Sequence, residues 1–76
     1  MSTREVYKLI SSNPEIMHGK PCVKGTRIPV SLVVSMLADG MTEEEVLKDY
    51  PSLSLKSIKA ALKYASMMCE YETAKI

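Results

Sequence analysis

The 76-residue chain has no glutamine, one asparagine (Asn13), one histidine (His18), two arginines (Arg4 and Arg27) and two cysteines. Each shortage removes a class of function. Cys22 and Cys69 stand 47 positions apart with no second cysteine or histidine at metal spacing, which excludes a zinc knuckle and a disulfide framework; both are expected as plain buried thiols. His18 lies four residues before Cys22, and two ligands cannot complete a tetrahedral site, so a loop or packing role is expected for it. A Cys-His nucleophile would lack a third, orienting group. No apolar run approaches the length of a membrane span, and Met1 to Ile10 carries Arg4, Glu5 and Lys8, so neither a signal peptide nor a membrane association is expected. Reduced thiols without an export signal point to the cytoplasm.

What is present describes one small folded domain spanning residues 1–76. Hydrophobic residues make up 46% and charged residues 25%, the balance of a globular chain rather than a disordered one. A single core below roughly 70 to 80 residues seldom supplies more than about 3 to 5 kcal/mol, so support from outside, such as a homodimer partner, is expected. No internal repeat or low-complexity run appears.

Three of the four prolines (Pro14, Pro21, Pro29) and two of the three glycines (Gly19, Gly25) fall between residues 14 and 29, which forbids a long helix there. Val6 to Ile10 is short, apolar and partly β-branched. Cys22-Val23 and Ile28-Pro29-Val30 flank Lys24-Gly25-Thr26-Arg27, in which Gly25 suits the first central position of a type II′ hairpin turn. Residues 1–29 therefore read as a β extension, with Asn13-Pro14 opening a single turn between Ile10 and Met17.

From residue 30 the periodicity is helical. Leu32, Val33, Met36 and Leu37 share a face, and Gly40 sits where a left-handed cap ends a helix over about 31–39. Thr42-Glu43-Glu44-Glu45 matches a capping box, and Pro51 stops the helix it starts. Ser54 can cap a third helix over about 54–70, where Leu55, Ile58, Leu62, Ala65 and Cys69 form the apolar side and Lys56, Lys59 and Lys63 another. The expected fold is mainly α: a three-helix, homeodomain-like helix-turn-helix unit over 30–76 behind the β extension.

The net charge is only +1, but it is sorted: residues 1–29 carry five basic and two acidic groups, 30–50 one and five, 51–76 four and two. Two readings of Lys56, Lys59 and Lys63 stand open: a solvated helix face, or a surface that meets the phosphates of double-stranded DNA. Base readout relies on Arg, Asn or Gln, and the third helix has none, so Ser54, Ser57 and the lysines are the candidate DNA contacts. Gly19-Lys20-Pro21 and Lys24-Gly25-Thr26 do not have phosphate-loop spacing and read as turns. Glu43, Glu44 and Glu45 diverge around a helix and suit capping rather than acid/base work. Met67-Met68, Tyr64 and Tyr71 offer adaptable apolar surface, for a core first and a partner second. No catalytic residue, metal site or cofactor is expected, and the chain is not read as an enzyme.

Asn13-Pro14-Glu15-Ile16, Gly19-Lys20-Pro21, Gly25-Thr26-Arg27-Ile28 and Leu37-Ala38-Asp39-Gly40, continued by Glu44-Glu45-Val46-Leu47, Tyr50-Pro51 and Ala60-Ala61-Leu62, together carry a family likeness. Over about residues 8–66 the chain resembles the domain of unknown function 433 family of small bacterial and archaeal proteins. The resemblance implies a helix-turn-helix domain with a short β extension, described as VapB-like antitoxin because such genes tend to neighbour a PIN-like ribonuclease toxin. It also marks Gly19, Lys20, Pro21, Gly25, Thr26 and Arg27 as motif positions without assigning them a role. Two function classes follow: a DNA-binding, antitoxin-type regulator acting as a homodimer, or a protein-interaction module that clamps a partner without touching DNA.

Overall fold

The computed structural model describes residues 1–73, so the last three positions of the expected 30–76 unit lie outside the described residues. Among the described residues, four helices and one two-stranded antiparallel sheet follow one another as α1 (Thr3–Leu9), β1 (Ile10–Ser11), β2 (Cys22–Val23), α2 (Val30–Ala38), α3 (Glu43–Asp49) and α4 (Leu55–Thr73), and the loop between the strands holds a tight turn over Met17–Gly19 in which His18 (φ 56°) and Gly19 (φ 82°) are left-handed. The chain is mainly α, as expected, with a smaller β component than residues 1–29 led us to expect.

The largest correction falls on Val6 to Ile10. All but Ile10 of that segment is helical, because Ser2 and Glu5 form a capping box. The Glu5 N–H donates to Ser2 Oγ at 3.2 Å and the Ser2 N–H donates to Glu5 Oε1 at 3.2 Å. Val6 on α1 is completely buried, Leu9 is half-buried beside it, and Ile10, the first residue of β1, joins the same core. Local capping overrides the β-branched character of a five-residue stretch.

The sheet is closed by different partners from those expected. Ile10 pairs with Val23 and Ser11 with Cys22, whereas the 28–30 segment contributes a lone bridge between Cys22 and Pro29. The tight turn is also shifted by one position. The Thr26 N–H donates to the Val23 carbonyl at 3.0 Å, which puts Gly25 (φ 80°) at the second central position and excludes a type II′ turn. An L-residue there would have to enter the left-handed region.

The three later helices follow their signals closely. α2 buries Val33 and Met36, with Leu32 and Leu37 half-buried beside them. It ends in a Schellman motif: the Gly40 N–H (φ 98°) donates to the Leu37 carbonyl and the Met41 N–H to the Met36 carbonyl, both at 3.1 Å. Thr42 opens α3 with the expected box, its Oγ1 accepting the Glu45 N–H at 3.1 Å and its N–H donating to Glu45 Oε1 at 2.9 Å. On α4 the apolar face is rotated from the expected one. Ile58, Ala60 and Ala61 are fully buried, whereas Leu55, Leu62 and Cys69 are exposed, so Cys69 is not the buried thiol expected, while Cys22 is. The small Ala60 and Ala61 allow α1 and α2 to approach α4 closely. α4 is the central element, packing mainly on α2 and next on α1.

Candidate functional site

α3 and α4 are joined by the short connection 50–54, which is held by local bonds. The Tyr50 N–H donates to the Val46 carbonyl at 2.9 Å, ending α3, and the Leu53 N–H donates to the Tyr50 carbonyl at 2.9 Å, closing the turn. Leu53 is buried and pins the connection to the core. Ser54 then caps α4, its Oγ accepting the Ser57 N–H at 3.1 Å.

Ser57 is thereby set apart from the other candidate contacts. It is only 7% exposed and its hydroxyl lies 3.0 Å from that of Ser54, so it stabilises the helix start and presents nothing to a ligand. Ser54 itself remains at the surface.

Lys56, Lys59 and Lys63 are all exposed, and steps of three and four residues put them on one stripe of α4. Leu55 and Leu62 stand exposed beside this stripe. α1 borders it. Lys56 Nζ lies 3.7 Å from Glu5 Oε2, and Lys8 joins Lys56, Glu5 and Leu9 around a shallow hollow of about 260 Å³. Glu5 is held below the usual carboxylate range chiefly by the Ser2 backbone N–H and then the Ser2 hydroxyl, with Lys56 and the N-terminal ammonium adding smaller pulls against a desolvation push. Lys8 therefore belongs to the same basic surface. The Ser2-x-x-Glu5 pattern was the signal for it, since a helix over residues 3–9 brings Lys8 to the side of α4.

The glycine motifs make a clasp between the two strands and α2. Ser12 Oγ donates to the Gly19 carbonyl, and the Pro21 carbonyl accepts the Val30 N–H at 2.9 Å at the start of α2. Thr26 Oγ1 donates to the Val23 carbonyl at 2.8 Å and accepts the Ile28 N–H at 3.0 Å, so its hydroxyl is committed to the turn. The Lys24 N–H donates to the Leu9 carbonyl at 2.8 Å, tying this turn to the end of α1. Gly19, Pro21, Gly25 and Thr26 thus act on the backbone, while Lys20 and Arg27 leave their side chains exposed. His18 is exposed in the intervening loop, and among the described residues no three His, Cys, Asp or Glu side chains gather in a way that could hold a metal. No helix among the described residues is long and apolar enough to cross a membrane.

Comparison with known proteins fits this arrangement. The chain is 40% identical over 58 residues to the uncharacterized protein y4eO of Sinorhizobium fredii (strain NBRC 101917 / NGR234), a stretch that covers 76% of this chain but only 26% of that protein. Its backbone is similar to the crystal structure of a DUF433 member protein from Anabaena variabilis ATCC 29413, with a TM-score of 0.79 and 26% identity over 95% of this chain and 71% of that one. A family model described as "Protein of unknown function (DUF433)" matches residues 10–65. That match opens at β1 and runs through the Gly-Lys-Pro and Gly-Thr-Arg clasp, α2, α3 and the first half of α4, and on this ground the chain belongs to the DUF433 family.

Proposed function

We propose that this domain is a small DNA-binding regulator of the antitoxin type, acting as a homodimer and pairing with a PIN-like ribonuclease toxin. The observation that carries the reading is the exposed stripe Lys56, Lys59 and Lys63 on α4, which we read as the second helix of a helix-turn-helix, with Lys8 of α1 beside it. Lysines placed this way neutralise phosphates and release counterions without specifying a sequence. The homeodomain-like docking of α4 in a major groove is part of the proposal, as is the toxin partner, which rests on the family resemblance.

Leu55 and Leu62 favour the second reading, a protein-interaction module. Two large apolar side chains, 47% and 39% exposed, interleave with the lysines and suit a protein surface better than a phosphate backbone. Affinity for the promoter duplex of the chain's own gene, measured against salt with and without the neighbouring gene product, separates the two. Six lysines in a dimer give a slope of log affinity against log salt near −5. Lys59→Ala should flatten it by up to about 2 while weakening different sequences equally. Absence of binding at low salt for the wild type, alone and with its partner, overturns the DNA reading.

A further inference from the structure

The Glu5 carboxylate of α1 lies against the lysine stripe of α4, its Oε2 3.7 Å from Lys56 Nζ. Both side chains are exposed, so a surface pair of this kind contributes little to stability. Its consequence lies in binding. We infer that Glu5 is a competitor built into the phosphate-binding surface: in the free domain its carboxylate occupies Lys56, and a phosphate of the duplex has to displace it. The inference rests on the DNA reading of Lys56, Lys59 and Lys63.

The position of Glu5 is fixed by more than the ion pair. Its Oε1 accepts from the Ser2 N–H and from the Ser2 hydroxyl, both at 3.2 Å, which leaves Oε2 for Lys56. α1 is in turn held on α4 through the buried Val6. The carboxylate is therefore preorganised where it stands. Lys8 borders the same hollow of about 260 Å³, so an anion already sits among the basic side chains that a phosphate would approach.

The size of the effect follows from the geometry. A phosphate on Lys56 and the Glu5 carboxylate would each lie within about 4 Å of one ammonium, hence roughly 6 to 7 Å from each other, and two like charges at that distance in water repel by about RT. That is about threefold in affinity for each subunit and about tenfold for a dimer when salt is low. At about 0.15 M salt the Debye length of roughly 8 Å screens more than half of the repulsion.

Duplex affinity of the full chain, compared between Glu5→Gln and the wild type, tests the inference. Glutamine also serves at this position of a capping box, so the variant loses the charge and keeps the helix start. Glu5→Gln should bind about threefold to tenfold more tightly at about 10 mM salt, and the gain should shrink at about 150 mM. Its helical circular dichroism spectrum should be unchanged. In a Lys56→Gln background the gain should fall to less than half. In a Lys63→Gln background, about 10 Å further along α4, it should persist. A Glu5→Gln variant that binds no more tightly than the wild type, or that gains equally in all three backgrounds, overturns the inference and leaves the DNA reading standing. Absence of binding at low salt by the wild type and by Glu5→Gln alike overturns the DNA reading, and the role of Glu5 falls with it.

Discussion

The ring of Tyr7 on α1 stands edge-on to that of Tyr64 on α4, with centroids 6.4 Å apart and planes at 88°. It joins the first turns of the chain to a helix that begins almost 50 residues later, and with buried Val6 it makes α1 an integral layer of the fold. Edge-to-face pairs contribute about 0.5 to 1.5 kcal/mol beyond area burial. A double-mutant cycle with Tyr7→Leu and Tyr64→Leu, read by urea denaturation, should give a coupling at the lower end of that range because Tyr7 is half exposed. Val6→Ala should cost more, about 2 kcal/mol, through the cavity it leaves.

Gly25→Val should destabilise by about 1 to 2 kcal/mol. A Cβ at Gly25 would meet nothing within 4 Å, so the effect comes from φ 80° rather than from a clash of the Cβ. Gly25→Asn, which tolerates the left-handed region, should therefore recover much of the loss. Equal melting temperatures for the valine variant and the wild type would count against this account of the turn.

Thr26→Val keeps shape but removes the hydroxyl that bonds the Val23 carbonyl and the Ile28 N–H. A loss of about 1 to 2 kcal/mol is expected, since the Ile28 N–H is left without its acceptor. Arg27→Ala should leave thermal stability within about 0.5 kcal/mol, as for an ordinary surface position. The pair of measurements separates the backbone role of the motif from any role at the surface.

Glu45 is held below its ordinary carboxylate range first by the Thr42 backbone N–H and then by the Thr42 hydroxyl, against a smaller desolvation push. A carboxylate depressed on folding stabilises the native state above its unfolded value of 4.5 and loses that contribution as pH falls through the folded value. Glu45→Gln retains an acceptor without the charge. The stability difference between wild type and variant should be present at pH 7 and shrink towards zero as pH falls below about 4.5. A difference that does not change between pH 7 and pH 3 would remove the charge from the explanation.

Signals confined to a few residues were legible in the sequence. The Thr42 box and the Ser54 cap place the starts of α3 and α4, and the Gly40 cap the end of α2, to within a residue or so, because each signal lies within a few adjacent positions. The Ser2 box is written the same way, in Ser2 and Glu5, and it decides the conformation of residues 3–9 over the β-branched Val6. The orientation of α4 was not legible. Leu55, Leu62 and Cys69 have helical spacing, but alanines at 60 and 61 win the interior because α1 and α2 approach from that side, and only their packing decides it. At the lysine stripe, the residues were nameable from spacing, whereas the involvement of Lys8 and the loss of Ser57 depended on where α1 lies and how Ser54 spends its hydroxyl.

The Schellman end of α2 and the box that starts α3 meet at Gly40-Met41, and every bond in that junction spans five residues or fewer. Such short closures carry a small entropic cost, so this corner can assemble early in folding, while α1 must wait for α4 to exist before Tyr7 has a ring to meet. The element that docks last is the one expected to open first. Amide hydrogens of α1 should exchange faster than those of α2 and α4. Each opening lifts Glu5 away from Lys56, so the charge of the lysine stripe fluctuates with the undocking of a helix rather than with the titration of a side chain.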